Sequence, residues 1–299
     1  MRYNHKKLIK YCGWIINYTC VKLLVELLAS GLGIKEFLPA YTDPDLTTQE
    51  LLTGVSFGSA GTGYDDLTAH IVSVLSMNDQ LEMFKEYIEK LKAAAGEERA
   101  AIILSQSLYI VCAGNNDLLI TYFDTHLRNF HYDIPSYIDF LVQRASEFIQ
   151  ELYKLGARKI AVACVPPLGC VPAQRTLLGG DQRECVASNN EASVLFNSRL
   201  TEELKVLSYK LPDFRTVCID LYTTVNKIIH DPSRYGFEDV SRGCCGTGTV
   251  EFAELCNELS PHTCEDASKY AFWDGVHPTQ RLYEIVVPEL ISTYLSPIL

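Results

Sequence analysis

Apolar positions along the chain follow two alternating rhythms. Residues 22–30 carry Leu23, Leu24, Leu27 and Leu28 at helical spacing, with Gly31 and Gly33 as stops; Leu81, Phe84, Ile88 and Leu91 repeat the pattern ahead of Gly96. A third helix is marked by Ile138, Leu141, Val142, Ala145, Phe148, Ile149 and Leu152 and ends at Gly156. A long fourth, with Leu195, Phe196, Leu200, Leu204, Leu207 and Leu211, is closed by Pro212. Between them lie short apolar runs: 54–57 entering GSAGTG, LYIVCA at 108–113 entering GNND, 160–165 entering PPLG, and 216–221. An unbroken apolar run of that length is expected of a strand buried on both faces. The alternation predicts one α/β domain with a parallel sheet covered on both sides and ligands at the carboxyl ends of its strands.

Charge narrows the partners. With 299 residues and a formal net charge of -11, the chain is expected to avoid nucleic acid and anionic membrane surfaces, and a neutral or apolar small molecule suits it better. No run is long and apolar enough to span a bilayer. The eleven cysteines are unevenly spread and contain no C-x-x-C pair. Cys112, Cys164 and Cys218 sit in apolar runs and read as buried thiols. Cys170 and Cys185 flank a loop, and Cys244, Cys245, Cys256 and Cys264 crowd a Gly-rich stretch, so these six are disulfide candidates, with the pairing of the last four open. Disulfides imply an oxidising, extracellular setting, although the first residues, interrupted by Asn17, Lys22 and Glu26, do not form a convincing signal peptide.

Candidate chemistry gathers at YAFWDGVHP, residues 270–278. Asp274 and His277 lie three residues apart before the last helix, a spacing that lets the carboxylate hold one imidazole nitrogen while the other faces outward as a general base. The same pattern also suits an Asp that caps a helix beside a surface His. Gly61, in GSAGTG, offers an unhindered backbone N–H, and Asn116, in GNND, a side-chain amide. Both loops follow strands, and two such donors aimed at one point would stabilise an oxyanion. GSAGTG has neither the Lys of a phosphate-binding loop nor dinucleotide-fold spacing.

Taken in order, LGIKEFLPAY, LLTGVSFGSAGTGYD, the G-N-N-D loop, PPLGCVPAQRT, RGCCGTG and FWDGVHP resemble the plant GDSL-type esterases and lipases of the SGNH hydrolase superfamily. The resemblance implies a flavodoxin-like three-layer α/β/α sandwich, secretion, and hydrolysis of carboxylic esters or lipids without metal or other cofactor. It implies Asp274 and His277 as carboxylate and base, and Gly61 and Asn116 as the oxyanion hole, with Gly58 and Gly63 close by. It also implies a first strand ending in a G-D-S-x-x-D block that carries the nucleophilic serine. No G-D-S occurs in these residues, so no nucleophile is found. Residues 1–21 are accordingly expected to be an atypical N-terminal segment, and 22–299 a single hydrolase-like domain from which the first strand is missing or replaced. The expectation is an N-terminally truncated member, inactive as written. The alternative is a non-catalytic lipid- or ester-binding relative or an unstable fragment. Two substitutes deserve testing: Ser56, in the G-x-S-x-G pattern at 54–58, and Thr19 or Cys20, should the strand formers of 14–21 occupy the place of the first strand.

Overall fold

The computed structural model describes residues 8–12, 20–251, 256 and 262–299. Its centre is a parallel sheet of four strands, β1 (Leu8–Cys12), β2 (Leu108–Cys112), β3 (Lys159–Ala163) and β4 (Arg215–Ile219), hydrogen-bonded in that order. Helices α1 (Cys20–Gly31), α2 (Thr48–Thr53), α3 (Asp66–Val72), α4 (Met77–Ala95) and α5 (Glu97–Gln106) connect β1 to β2. Helix α6 (Ile134–Lys154) leads to β3, α7 (Pro172–Leu178) and α8 (Ala187–Lys210) lead to β4, and α9 (Leu221–His230) and α10 (Gln280–Leu290) follow.

The sheet separates two apolar cores by the period of two that a strand imposes. Tyr109 and Val111 of β2, with Ile160 and Val162 of β3, pack with Phe84 and Leu91 of α4, Leu141 of α6 and Phe196 and Leu200 of α8. Leu108 and Ile110, with Ala161 and Ala163, face Leu24 and Leu28 of α1, Ile228 of α9 and Val286 and Leu290 of α10. Every residue of β2 is buried, as its uninterrupted apolar run requires. The result is a three-layer α/β/α sandwich.

The N-terminal strand differs in place from the sequence expectation. It lies at Leu8–Cys12 and pairs in parallel register with β2, Leu8 opposite Leu108 and Cys12 opposite Cys112. Of the expected 14–21 segment, Cys20 and Val21 open α1, while 14–19, including Thr19, lie outside the described residues. Among the described residues β1 is an edge strand of the sheet. The run at 54–57 forms only a single parallel bridge, Ser56 with Ala40.

The cysteines also need one correction. Cys164 and Cys218, read as buried thiols, are bonded to each other. They lie where β3 and β4 end side by side, and the Cys164 N–H donates to the Ile219 carbonyl at 3.0 Å, so neighbouring strands deliver the two sulfurs to one place. The other bridges are Cys170–Cys185, Cys244–Cys264 and Cys245–Cys256. Two small sheets surround the last pairs: β5 (Asp239–Gly243) runs parallel to β8 (Tyr270–Phe272), and β6 (Cys245–Gly246) antiparallel to β7 (His262–Thr263). Among the described residues no helix is long and apolar enough to cross a membrane.

Candidate active site

Asp274 and His277 meet in a tight turn between β8 and α10. The turn is closed by Trp273 N–H donating to the His277 carbonyl at 2.7 Å, and Thr279, whose hydroxyl accepts from Leu282 N–H, caps α10 just beyond it. Asp274 Oδ2 lies 2.7 Å from His277 Nδ1. Its other oxygen, Oδ1, accepts the N–H groups of Val276 at 2.9 Å and His277 at 2.8 Å. A carboxylate held this way is an acceptor only, so Nδ1 carries the proton, and the imidazole is fixed in one tautomer and one orientation. Both side chains are buried, 1% and 2% exposed, so the imidazole is enclosed, in contrast to the outward-facing nitrogen expected from spacing.

Asn116 begins the wide helical turn Asp117–Asp124 after β2, and its Nδ2 donates to the Thr62 carbonyl at 2.9 Å. That bond spends one of the two amide hydrogens and draws the GSAGTG loop onto GNND. Gly61, buried in that loop, has φ +91°, in the region open to glycine. Gly58 is exposed, and Gly63 is pressed against the Asp117 carboxylate. Ser56 stands in the bridged segment, not on a strand-to-helix elbow, and its Oγ accepts the Gly58 N–H at 3.3 Å. GNND follows β2 directly and GSAGTG is held against it by the Asn116–Thr62 bond, while the Asp274 turn is tied to the segment after β3 by Ala173 N–H donating to the Gly275 carbonyl at 2.8 Å. Both pairs therefore belong to the carboxyl end of the sheet.

A further residue, Asp117, the last of GNND, supports these loops without having been marked by any spacing rule. It is fully buried and accepts three hydrogen bonds, from Tyr64 N–H at 2.9 Å, Asp65 N–H at 3.0 Å and the Thr68 hydroxyl at 2.7 Å. Burial pushes its carboxyl up to about 6 despite these donors, and the neighbouring Asp65 adds to the rise. A Cβ at Gly63 would stand 2.1 Å from Asp117 Oδ1, so the loop approaches the carboxylate as only glycine can. Asp65 is in turn gripped by Arg128, Nε to Oδ2 at 2.7 Å and Nη2 to Oδ1 at 2.9 Å, and accepts the Tyr137 hydroxyl at 3.1 Å. The signal available in sequence was an acid placed directly before the apolar run LLITYF. Among the described residues no three His, Cys, Asp or Glu side chains converge as a metal site.

A model of the family "GDSL-like Lipase/Acylhydrolase" matches residues 13–290. GDSL esterase/lipase EXL3 of Arabidopsis thaliana is 46% identical over 271 residues, covering 91% of this chain and 74% of the relative. GDSL esterase/lipase At5g42170 of the same plant is also 46% identical over 271 residues, covering 91% and 73%. At3g14820, another Arabidopsis GDSL esterase/lipase, is 44% identical over 273 residues, 91% of this chain and 77% of its own. A match of this extent, together with the sandwich and its cluster of loops at the sheet's carboxyl end, makes the chain a member of the GDSL-like lipase/acylhydrolase family.

Proposed function

We propose that the chain presents the general base and the oxyanion donors of a carboxylic-ester or lipid hydrolase. His277 is the base, Asp274 its orienting carboxylate, and the Gly61 N–H with the second Asn116 amide hydrogen the donors to a developing oxyanion. The observation that carries this reading is the 2.7 Å contact of Asp274 with Nδ1, backed by two backbone N–H groups on the other carboxylate oxygen. Four disulfides among the described residues support an extracellular or other oxidising setting.

With no Gly-Asp-Ser motif in its 299 residues, the chain on this proposal binds such esters without turning them over at an enzyme's rate. Loss of the nucleophile from a serine-hydrolase site typically removes a factor of about 10⁶ in turnover, leaving what oxyanion stabilisation and binding supply. The test uses short-chain nitrophenyl esters and a fluorescent fatty acid, with the protein and His277→Ala side by side. Equal, near-background hydrolysis with saturable fatty-acid binding is expected. Hydrolysis well above background that collapses in His277→Ala would overturn the binding reading and establish turnover through a nucleophile.

A further inference from the structure

The motif R-G-C-C-G-T-G, residues 242–248, supplies none of the groups named above, yet it lies directly against one of them. Gly243 ends β5 opposite Phe272 of β8. Beyond it, the Cys244 N–H donates to the Phe272 carbonyl at 3.0 Å and the Cys245 N–H to the Trp273 carbonyl at 2.7 Å, the two residues that precede Asp274. Between these bonds the Asp274 backbone closes on Gly243. A Cβ there would lie 2.8 Å from both Cα and C of Asp274 and 2.9 Å from its carbonyl oxygen. Backbone cannot yield as the end of a flexible side chain can.

The strand is held from its other side. Cys244 is bonded to Cys264, whose N–H donates to the Cys244 carbonyl at 2.7 Å, and Cys245 is bonded to Cys256. Arg183, from the loop before α8, donates to the carbonyls of Gly248 at 3.0 Å and Thr249 at 2.9 Å. An aspartate places its carboxylate only two bonds from Cα, so a displacement of its backbone passes almost undiminished to the oxygen that meets His277.

We propose that residues 243–245, closed by Cys244–Cys264 and Cys245–Cys256, are the positioning element of the Asp274–His277 pair. The absent Cβ at Gly243 sets where the Asp274 backbone lies, and the two bridges keep the strand there. The proposal rests on reading Asp274 and His277 as a working pair. It makes that pair sensitive to a dithiol such as dithiothreitol, which delivers two electrons and two protons to each bridge, leaving two thiols and the oxidised reagent.

Proton NMR of the folded chain reads the imidazole Nδ1–H directly, since a proton shared with a buried carboxylate resonates far downfield of the amides. The wild-type chain is expected to show the signal and Asp274→Asn to lose it. Gly243→Ala is expected to lose it with an unchanged circular-dichroism spectrum. Gly248→Ala, strained by its φ of +74° but meeting nothing within 4 Å, is expected to keep it. A signal retained in Gly243→Ala would overturn the proposal while leaving the Asp274–His277 pair intact. Identical spectra for wild type and Asp274→Asn would remove the pair itself, and the proposal with it. Should Gly243→Ala not fold, the double variant Cys245→Ala/Cys256→Ala decides: loss of the signal supports the positioning role, and its survival overturns it.

Discussion

Asp117 shows how a buried acid can serve a site it does not enter. Three donors converge on its carboxylate, two of them backbone N–H groups of the loop that follows Gly61, so the side chain joins the two loops proposed to form the oxyanion hole. Its carboxyl is held at about 6, above an ordinary unfolded value of about 3.8, because burial outweighs the donors. A raised acid binds its proton more tightly in the folded state. Its contribution to stability is therefore complete below about pH 3.8 and is lost as the pH rises through about 6, by at most about 3 kcal/mol. Asp117→Asn cannot titrate. The difference in urea midpoint between wild type and this variant should move in favour of wild type as the pH is lowered from 7.5 to 4.5, and a constant difference would refute the shift. Gly63→Ala tests the same contact sterically. A Cβ 2.1 Å from a carboxylate pinned by three bonds has no cheap escape, and we expect a loss of about 2–4 kcal/mol by chemical denaturation.

At the scale of elements, apolar runs and helical spacing located the sheet and its main helices, although only β2 and β3 are buried nearly throughout, β4 is largely half-buried, and the run at 54–57 stays a single bridge. The runs at 108–113, 160–165 and 216–221 and the four helical repeats stand where apolar spacing put them, because burial and hydrophobic period are the same constraint. The contact between Asp274 and His277 was legible for a different reason: the two are three residues apart, and a local turn suffices to join them. What lay beyond reading depends on contacts distant in sequence. Asp117 meets Tyr64 across 53 residues, Arg128 meets Asp65 across 63, and Cys164 meets Cys218 across 54. No spacing rule reports such contacts. Cys164 and Cys218 were misread because a half-cystine at the end of a buried strand has the same apolar neighbours as a thiol. The bridge ties the carboxyl ends of β3 and β4, where β4 is the sheet's edge among the described residues. Closing a loop of this length restrains the unfolded chain, so Cys164→Ser/Cys218→Ser should lower stability by about 2–4 kcal/mol in urea titrations, and an unchanged midpoint would contradict that account.

For the molecule as a whole, the question is how β2, buried on both faces, satisfies both of its edges. One edge pairs with β3, four residues in register. The other pairs with β1, five residues in register, although β1 is separated from β2 by about ninety-five residues and five helices. A strand edge buried between helical layers with no partner would leave several N–H and C=O groups unmade, each costing about 1–3 kcal/mol, against a total stability of roughly 5–15 kcal/mol for a typical domain. β1 thus completes the sheet that carries the GNND loop at its carboxyl end, and strand pairing and site support become one requirement. In a parallel ladder alternate residues of β1 turn their N–H groups toward β2, so one of any two consecutive residues must donate to it. Proline removes that donor. Of the two variants Ile9→Pro and Lys10→Pro, one should therefore accelerate amide hydrogen exchange across Leu108–Cys112, read by mass spectrometry of that segment, and should lower the thermal midpoint. The other should do less, because its lost N–H points away from β2. If exchange in β2 were unmoved by either proline, another segment would have to cover that edge, and the support of the GNND loop would have to be sought there.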